Sequence, residues 1–165
     1  MSSNRVVGTL HDEHRATLAV LDRLGAFIAR ERRGTPAGGN DANALLLREI
    51  ASTVESEVKR HFDFEEQHLF TFLQAMGDAA IGAHLTSEHN AMRPLGERVA
   101  ALARAASGAA FDEPGWQEFR RLAAELSERM VMHIQKEEMA LLPLLEESMD
   151  AETEQRLCDM YTGND

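Results

Sequence analysis

Apolar residues recur three and four apart along most of the chain, the spacing that aligns side chains on one face of an α-helix. The first stripe is His14, Leu18, Leu21, Gly25 and Ile28, and the second is Ile50, Val54, Val58, His61, Glu65, Leu69 and Phe72. A third runs through Ile81, Leu85, His89, Met92, Gly96 and Val99, and a fourth through Phe119, Leu122, Leu126, Met130, His133, Glu137 and Leu141. Breakers separate them. "GTPAGGND" ends a helix running from about Leu10 to Arg33, and Gly77 ends one from about Ala42 to Met76, with Asn40 or Asp41 as candidate N-cap. The third helix spans about Ala79 to Ala106. The fourth spans about Trp116 to Leu145, after "SGAAFDEPG" with Asp112 as candidate cap. "AETEQRLCDMY" leaves room for a short C-terminal helix. Four one-faced helices with short connections predict an all-α, antiparallel, up-down-up-down four-helix bundle. The expected organisation is one domain over residues 1–165, with its core at about residues 10–146.

Each of the four apolar faces carries a histidine, and two also carry a glutamate, groups that are costly to bury unless something satisfies them. They repeat. "HFDFEE" at 61–66 and "HIQKEE" at 133–138 share the pattern H-apolar-x-x-E-E, and Glu13-His14 is echoed by Glu88-His89. From 14 to 89 the step is 75 residues and from 61 to 133 it is 72, so the halves align with a small indel. This describes a duplicated helix pair. Residues four apart lie about 40° out of register on one helix face, so His61 and Glu65 point together, as do His133 and Glu137. The second glutamates, Glu66 and Glu138, fall about 140° from their histidines and are expected at a helix edge or in solvent.

Four imidazoles and two carboxylates would then converge among apolar neighbours that cannot hydrogen-bond them. Two metal ions make the set sensible: each takes two histidines, and the two glutamates bridge. Mixed imidazole and carboxylate ligands suit iron or manganese better than a purely oxygen-binding ion. A bridging oxo or hydroxo group brings each ion to five ligands and leaves one octahedral position open.

Composition narrows the alternatives. Only 5% of the 165 residues are aromatic and only four are proline, which suits helices. A formal charge of −11 argues against nucleic acid or an anionic membrane as partner. Cys158 is the only cysteine, which rules out an intramolecular disulfide and weighs against a thiolate-held iron–sulfur cluster. "MSSNRVVGTL" lacks an apolar signal-peptide core and no segment has the length and apolarity of a membrane span, so a cytoplasmic protein is expected.

Glu13-His14, "HFDFEE", "SEH" at 87–89 and "HIQKEEMALLP" at 133–143 together resemble the hemerythrin-like HHE cation-binding proteins. The likeness runs from His14 to Pro143. It implies a four-helix bundle around a non-haem di-iron centre, with His14, His61, Glu65, His89, His133 and Glu137 as ligands and Glu65 and Glu137 as bridges. Pro143, a poor mid-helix residue, falls where the family often has one. Oxygen-carrying hemerythrins add a fifth histidine through an H-x-x-x-H in the third helix, where this chain has Leu85. The resemblance therefore implies a centre that binds or reacts with oxygen, peroxide or nitric oxide rather than a simple carrier. An iron-donating repair protein or oxidoreductase, and a cation-binding bundle without redox work, are the other two classes. The family's repair type has an additional cysteine-containing N-terminal domain.

The remaining histidines are weaker candidates. His11, one turn before His14, reads as a surface residue or an outer partner of the site. His68 forms an E-x-x-H with Glu65, but Ala140 stands at the matching place in the fourth helix, so a paired ferritin-type arrangement fails. His84 lies about 140° round the helix from His89, off the metal face. Met92 and Met130 read as packing.

Overall fold

The computed structural model describes residues 4–31 and 41–163, and among these it is helical with no strand. Five helices follow in order: α1 (Arg5–Arg30), α2 (41–75), α3 (Ala80–Gly108), α4 (113–148) and α5 (Ala151–Gly163). α1 packs on α2 and α4, α3 packs on α2 and α4, and α5 lies against α1. Each long helix thus contacts two other long helices.

The expected start of α1 near Leu10 is corrected to Arg5. Asn4 is extended and its side chain accepts a hydrogen bond from the Val7 amide at 3.1 Å, so a polar cap outside the apolar stripe opens the helix. Asp112 caps α4 as expected, accepting from the Gly115 amide at 2.7 Å. Gly77 ends α2 in the left-handed region at φ +94°, while the Asp78 amide returns to the Leu73 carbonyl at 2.9 Å. The Asn40 or Asp41 cap of α2 lies outside the described side chains. Helix α5 supplies the short C-terminal helix and buries Leu157 and Tyr161.

Two apolar clusters fill the interior. One gathers Leu24, Phe27, Ile50, Val99, Trp116 and Phe119, together with Met92 and Met130, whose expected packing role holds. The other gathers Leu10, Leu69, Leu73, Leu85, Leu141 and Leu145 with residues of α5. Along every long helix the buried histidines, with Glu65 and Glu137, fall between these two sets: His14 after Leu10, His61 and Glu65 before Leu69, His89 after Leu85, His133 and Glu137 before Leu141. A polar layer is sealed between two apolar ones. Gly96 lets α3 come close to α2 just beside that layer, since a Cβ there would stand 2.6 Å from Val58 Cγ1.

Helices α2 and α4 leave α geometry at the layer. Glu57–His61, Glu65–Leu69 and Glu137–Leu141 are single π turns, each closed by an i→i+5 bond such as Leu142 N–H to the Glu137 carbonyl. Such turns concentrate at functional sites because the extra residue re-aims side chains without ending the helix. Pro143 follows the last of them, near the start of the resumed α segment, where its missing N–H costs least.

Candidate metal centre

The six residues picked out by spacing meet in one buried place. His14, His61, Glu65 and Glu137 form one group and Glu65, His89, His133 and Glu137 a second, each offering ligand atoms within 4.8 Å of one another. None of the six is more than 2% exposed. The groups overlap in the two glutamates. Glu65 turns Oε2 to His61 Nε2 at 3.2 Å and Oε1 to His89 Nε2 at 3.1 Å. Glu137 turns Oε1 to His14 Nε2 at 2.8 Å and Oε2 to His133 Nε2 at 3.0 Å. Each carboxylate therefore gives one oxygen to each half.

His61 Nε2, both Glu65 oxygens and Glu137 Oε2 are buried without a hydrogen-bond partner; the His61–Glu65 contact is close but lacks hydrogen-bond geometry. Buried polar atoms left so cost about 1–3 kcal/mol each. A cation would satisfy all of them, and imidazole with carboxylate is a donor set for a first-row transition ion. The residues fit a metal.

Behind each histidine stands a carboxylate on another helix. His61 Nδ1 donates to Glu13 at 3.0 Å and His133 Nδ1 to Glu88 at 2.8 Å. His14 Nδ1 donates to Glu138 and His89 Nδ1 to Glu66, both at 2.6 Å. This extends the expectation for the doubled glutamates. Glu66 and Glu138 do reach the helix edge, but that edge is a seam where the neighbouring helix brings its histidine. The pattern obeys the internal repeat: the Glu of each E-H pair serves the next helix, and the last Glu of each H-x-x-x-E-E serves the other half. Such bonds set the tautomer, presenting Nε2 to the interior. Phe62 holds His89 by stacking at 3.8 Å between ring centroids.

The charges follow from this crowding. Burial alone would raise Glu137, but the four histidines facing it hold its carboxyl well below the usual carboxylate range. Burial opposes a charge on His14, yet Glu137 and Glu138 carry its pKa up to about 9; His89 is carried up to about 9 in the same way by Glu137, Glu65 and Glu66. Without a metal the centre is a knot of imidazolium and carboxylate.

Glu57 was not singled out by sequence. It lies one helical turn before His61, is 4% exposed, and receives the Thr17 hydroxyl at 3.3 Å, with Oε2 3.7 Å from His61 Nδ1. Burial raises its carboxyl above the ordinary range. Its spacing to His61 was the available signal. Tyr161 was also missed: its hydroxyl donates to Glu13 from α5. His11 is half exposed and donates to the far oxygen of Glu138 at 2.7 Å, so it is both a surface residue and an outer partner. His84 is exposed beside Glu88 and Lys136, and His68 packs on Phe64; neither belongs to the two groups.

The family model of the hemerythrin HHE cation-binding domain matches residues 5–145. The chain belongs to that family. A separate comparison with curated proteins finds no match. Helix α5, with Tyr161, lies beyond the matched residues, while all six buried candidates lie within them. As a hemerythrin HHE protein it is a metal-binding helical bundle, and none of its described helices is long and apolar enough to cross a membrane.

Proposed function

We propose that this hemerythrin-family chain holds two iron ions in an antiparallel bundle and uses them to bind or react with oxygen, peroxide or nitric oxide. One ion is held by His14 and His61, the other by His89 and His133, and Glu65 and Glu137 bridge them. The observation that carries this reading is the sharing of Glu65 and Glu137 between two overlapping ligand groups, one oxygen to each half. Iron so held supplies electrons and an open coordination position to a small oxidant. The protein's own part is to aim four Nε2 atoms inward and to keep bulk water out with apolar layers on both sides. A cavity of about 130 Å³ is lined by Glu88, Met92, Arg129, Met132 and Lys136, beside the carboxylate that holds His133.

The expected metal content after iron-replete expression is two irons per chain, with the near-ultraviolet absorption of an oxo-bridged ferric pair. Metal analysis giving one ion or none, or zinc without that absorption, defeats the di-iron reading.

Leu85 bears on the type of reaction. It stands where the resemblance puts a carrier's fifth histidine, and it is 1% exposed within the second apolar cluster, with no donor atom to offer. The six candidate ligands would then leave an open position on each ion, and Leu85 would not close either of them. Anaerobically reduced protein mixed with oxygen is expected to pass to the diferric state without reversible storage. A visible band that appears with oxygen and vanishes under vacuum over repeated cycles would refute this. Parallel mixing with peroxide and with nitric oxide separates turnover from simple binding.

A further inference from the structure

The sequence repeat makes the two halves of the centre look equivalent, but the groups behind the four outer carboxylates are not. Glu66, which holds His89, accepts from Arg93 Nη2 at 2.8 Å on the same oxygen that His89 uses. Glu88, which holds His133, is ion-paired to Lys136 and also lies 3.3 Å from His84. In the other half, Glu13 shares its Oε1 between His61 and the Tyr161 hydroxyl. Glu138 divides its two oxygens between His14 and His11. One half is backed by two permanent cations, the other by a phenol and an imidazole.

Two further substitutions within the repeat point the same way. The step of 72 that carries His61 to His133 carries Glu57 to Arg129, so a buried carboxyl beside His61 is matched by an exposed guanidinium. The step of 75 that carries His14 to His89 carries Thr17, which donates to Glu57, to the apolar Met92. Arg60 lies near enough to Glu13 to act on its charge. It gives its hydrogen bond to the Tyr161 carbonyl at 2.7 Å and lies over that ring, so it acts on Glu13 only through space.

A carboxylate that accepts a histidine N–H increases the electron density that the far nitrogen offers to a metal. A cation bonded to the same carboxylate takes part of that effect back, and it also repels an incoming metal ion. We propose that the two metal positions are inherently unequal: the His14/His61 position binds a divalent ion more tightly and fills first, while Arg93 and Lys136 hold the His89/His133 position weaker and more exchangeable. This rests on the two-ion reading above. Arg93 and Lys136 are here positioning residues, acting through Glu66 and Glu88.

The test uses cobalt(II) alone as the probe, added to the metal-free full chain. Crystals grown with one equivalent are read by anomalous scattering at the cobalt edge, and solution titrations give stepwise dissociation constants. The expected result is cobalt density beside His14 and His61, with the two constants apart by roughly tenfold or more, the scale on which outer-shell partners act. In the double variant Arg93→Gln, Lys136→Gln the second step should tighten and the gap shrink, with the melting temperature of the metal-free protein recorded to separate loss of charge from loss of fold. Equal density in both halves, density first beside His89 and His133, or a gap unchanged in the double variant overturns the proposal. A single ion confined to the His14/His61 half sustains the inequality while defeating the two-ion reading, and no bound ion defeats both.

Discussion

Replacing Glu65 or Glu137 by alanine is expected to empty the whole centre, not half of it. Each carboxylate spans the two halves: Glu65 lies 3.2 Å from His61 and 3.1 Å from His89, and Glu137 lies 2.8 Å from His14 and 3.0 Å from His133. On the two-ion reading proposed above, removing either would take one ligand from both positions at once and leave four imidazoles facing each other with one carboxylate. The pair of ions would also lose one of the two bridging carboxylates that screen their mutual repulsion. Glu66→Ala and Glu138→Ala are expected to be milder. They free His89 or His14 to change tautomer and rotate, but remove no ligand atom, so metal affinity should fall by roughly ten- to a hundredfold while excess iron still loads the site. Iron analysis and near-ultraviolet absorption of the four variants give the comparison. If Glu138→Ala emptied the centre and Glu137→Ala did not, the π turn at Glu137–Leu141 would be presenting the other carboxylate inward, and the assignment would be reversed.

The six central residues were legible because their geometry is local. His and Glu four apart share a helix face wherever the helix goes, and the duplicated pattern supplied the second half. Bundling then needed only that each apolar stripe be buried. The outer carboxylates were not legible in the same way. That Glu13 meets His61 and Glu138 meets His14 depends on which helices are neighbours and on the turn of the seam, which no single-helix period encodes. The π turns have no hydrophobic period of their own, so an α-helical wheel placed Glu66 and Glu138 at the edge without saying what waits there. Asn4 escaped notice because the cap sits before the first residue of the stripe, whereas Asp112, next to a Gly/Pro breaker, announced itself. Tyr161 lies on a helix whose docking side the sequence did not fix by any repeat.

Stripping the metal should make stability strongly pH-dependent on the alkaline side. In the metal-free protein His14 and His89 have pKa values of about 9 against an ordinary 6.5, because neighbouring glutamates outweigh the cost of burial. A raised folded-state pKa means that the folded chain holds protons the unfolded chain has lost, so this stabilisation is complete below about pH 6.5 and disappears as the pH climbs through about 9. Across that window each of the two histidines contributes a loss of up to about 1.4 kcal/mol per pH unit. Beyond it, Glu137 is left among neutral imidazoles as a buried carboxylate with its counter-charges gone. Glu137 itself acts with the opposite sign. Its depressed pKa gives stability that is present above the ordinary carboxylate range and is lost as the pH falls through its own low value, so the metal-free protein should be most stable in mildly acidic solution. A bound metal would change this: histidines that ligate the ion would be held deprotonated, binding would release their protons, and the alkaline loss from these groups would disappear. Melting temperatures of metal-free and iron-loaded protein between about pH 6 and pH 9.5 are the measurement. The metal-free curve should fall steadily and the loaded curve should stay nearly level. A metal-free protein with a flat profile over this range would mean that its histidines titrate as they do in the unfolded chain, and that the centre is not held together by charge when empty.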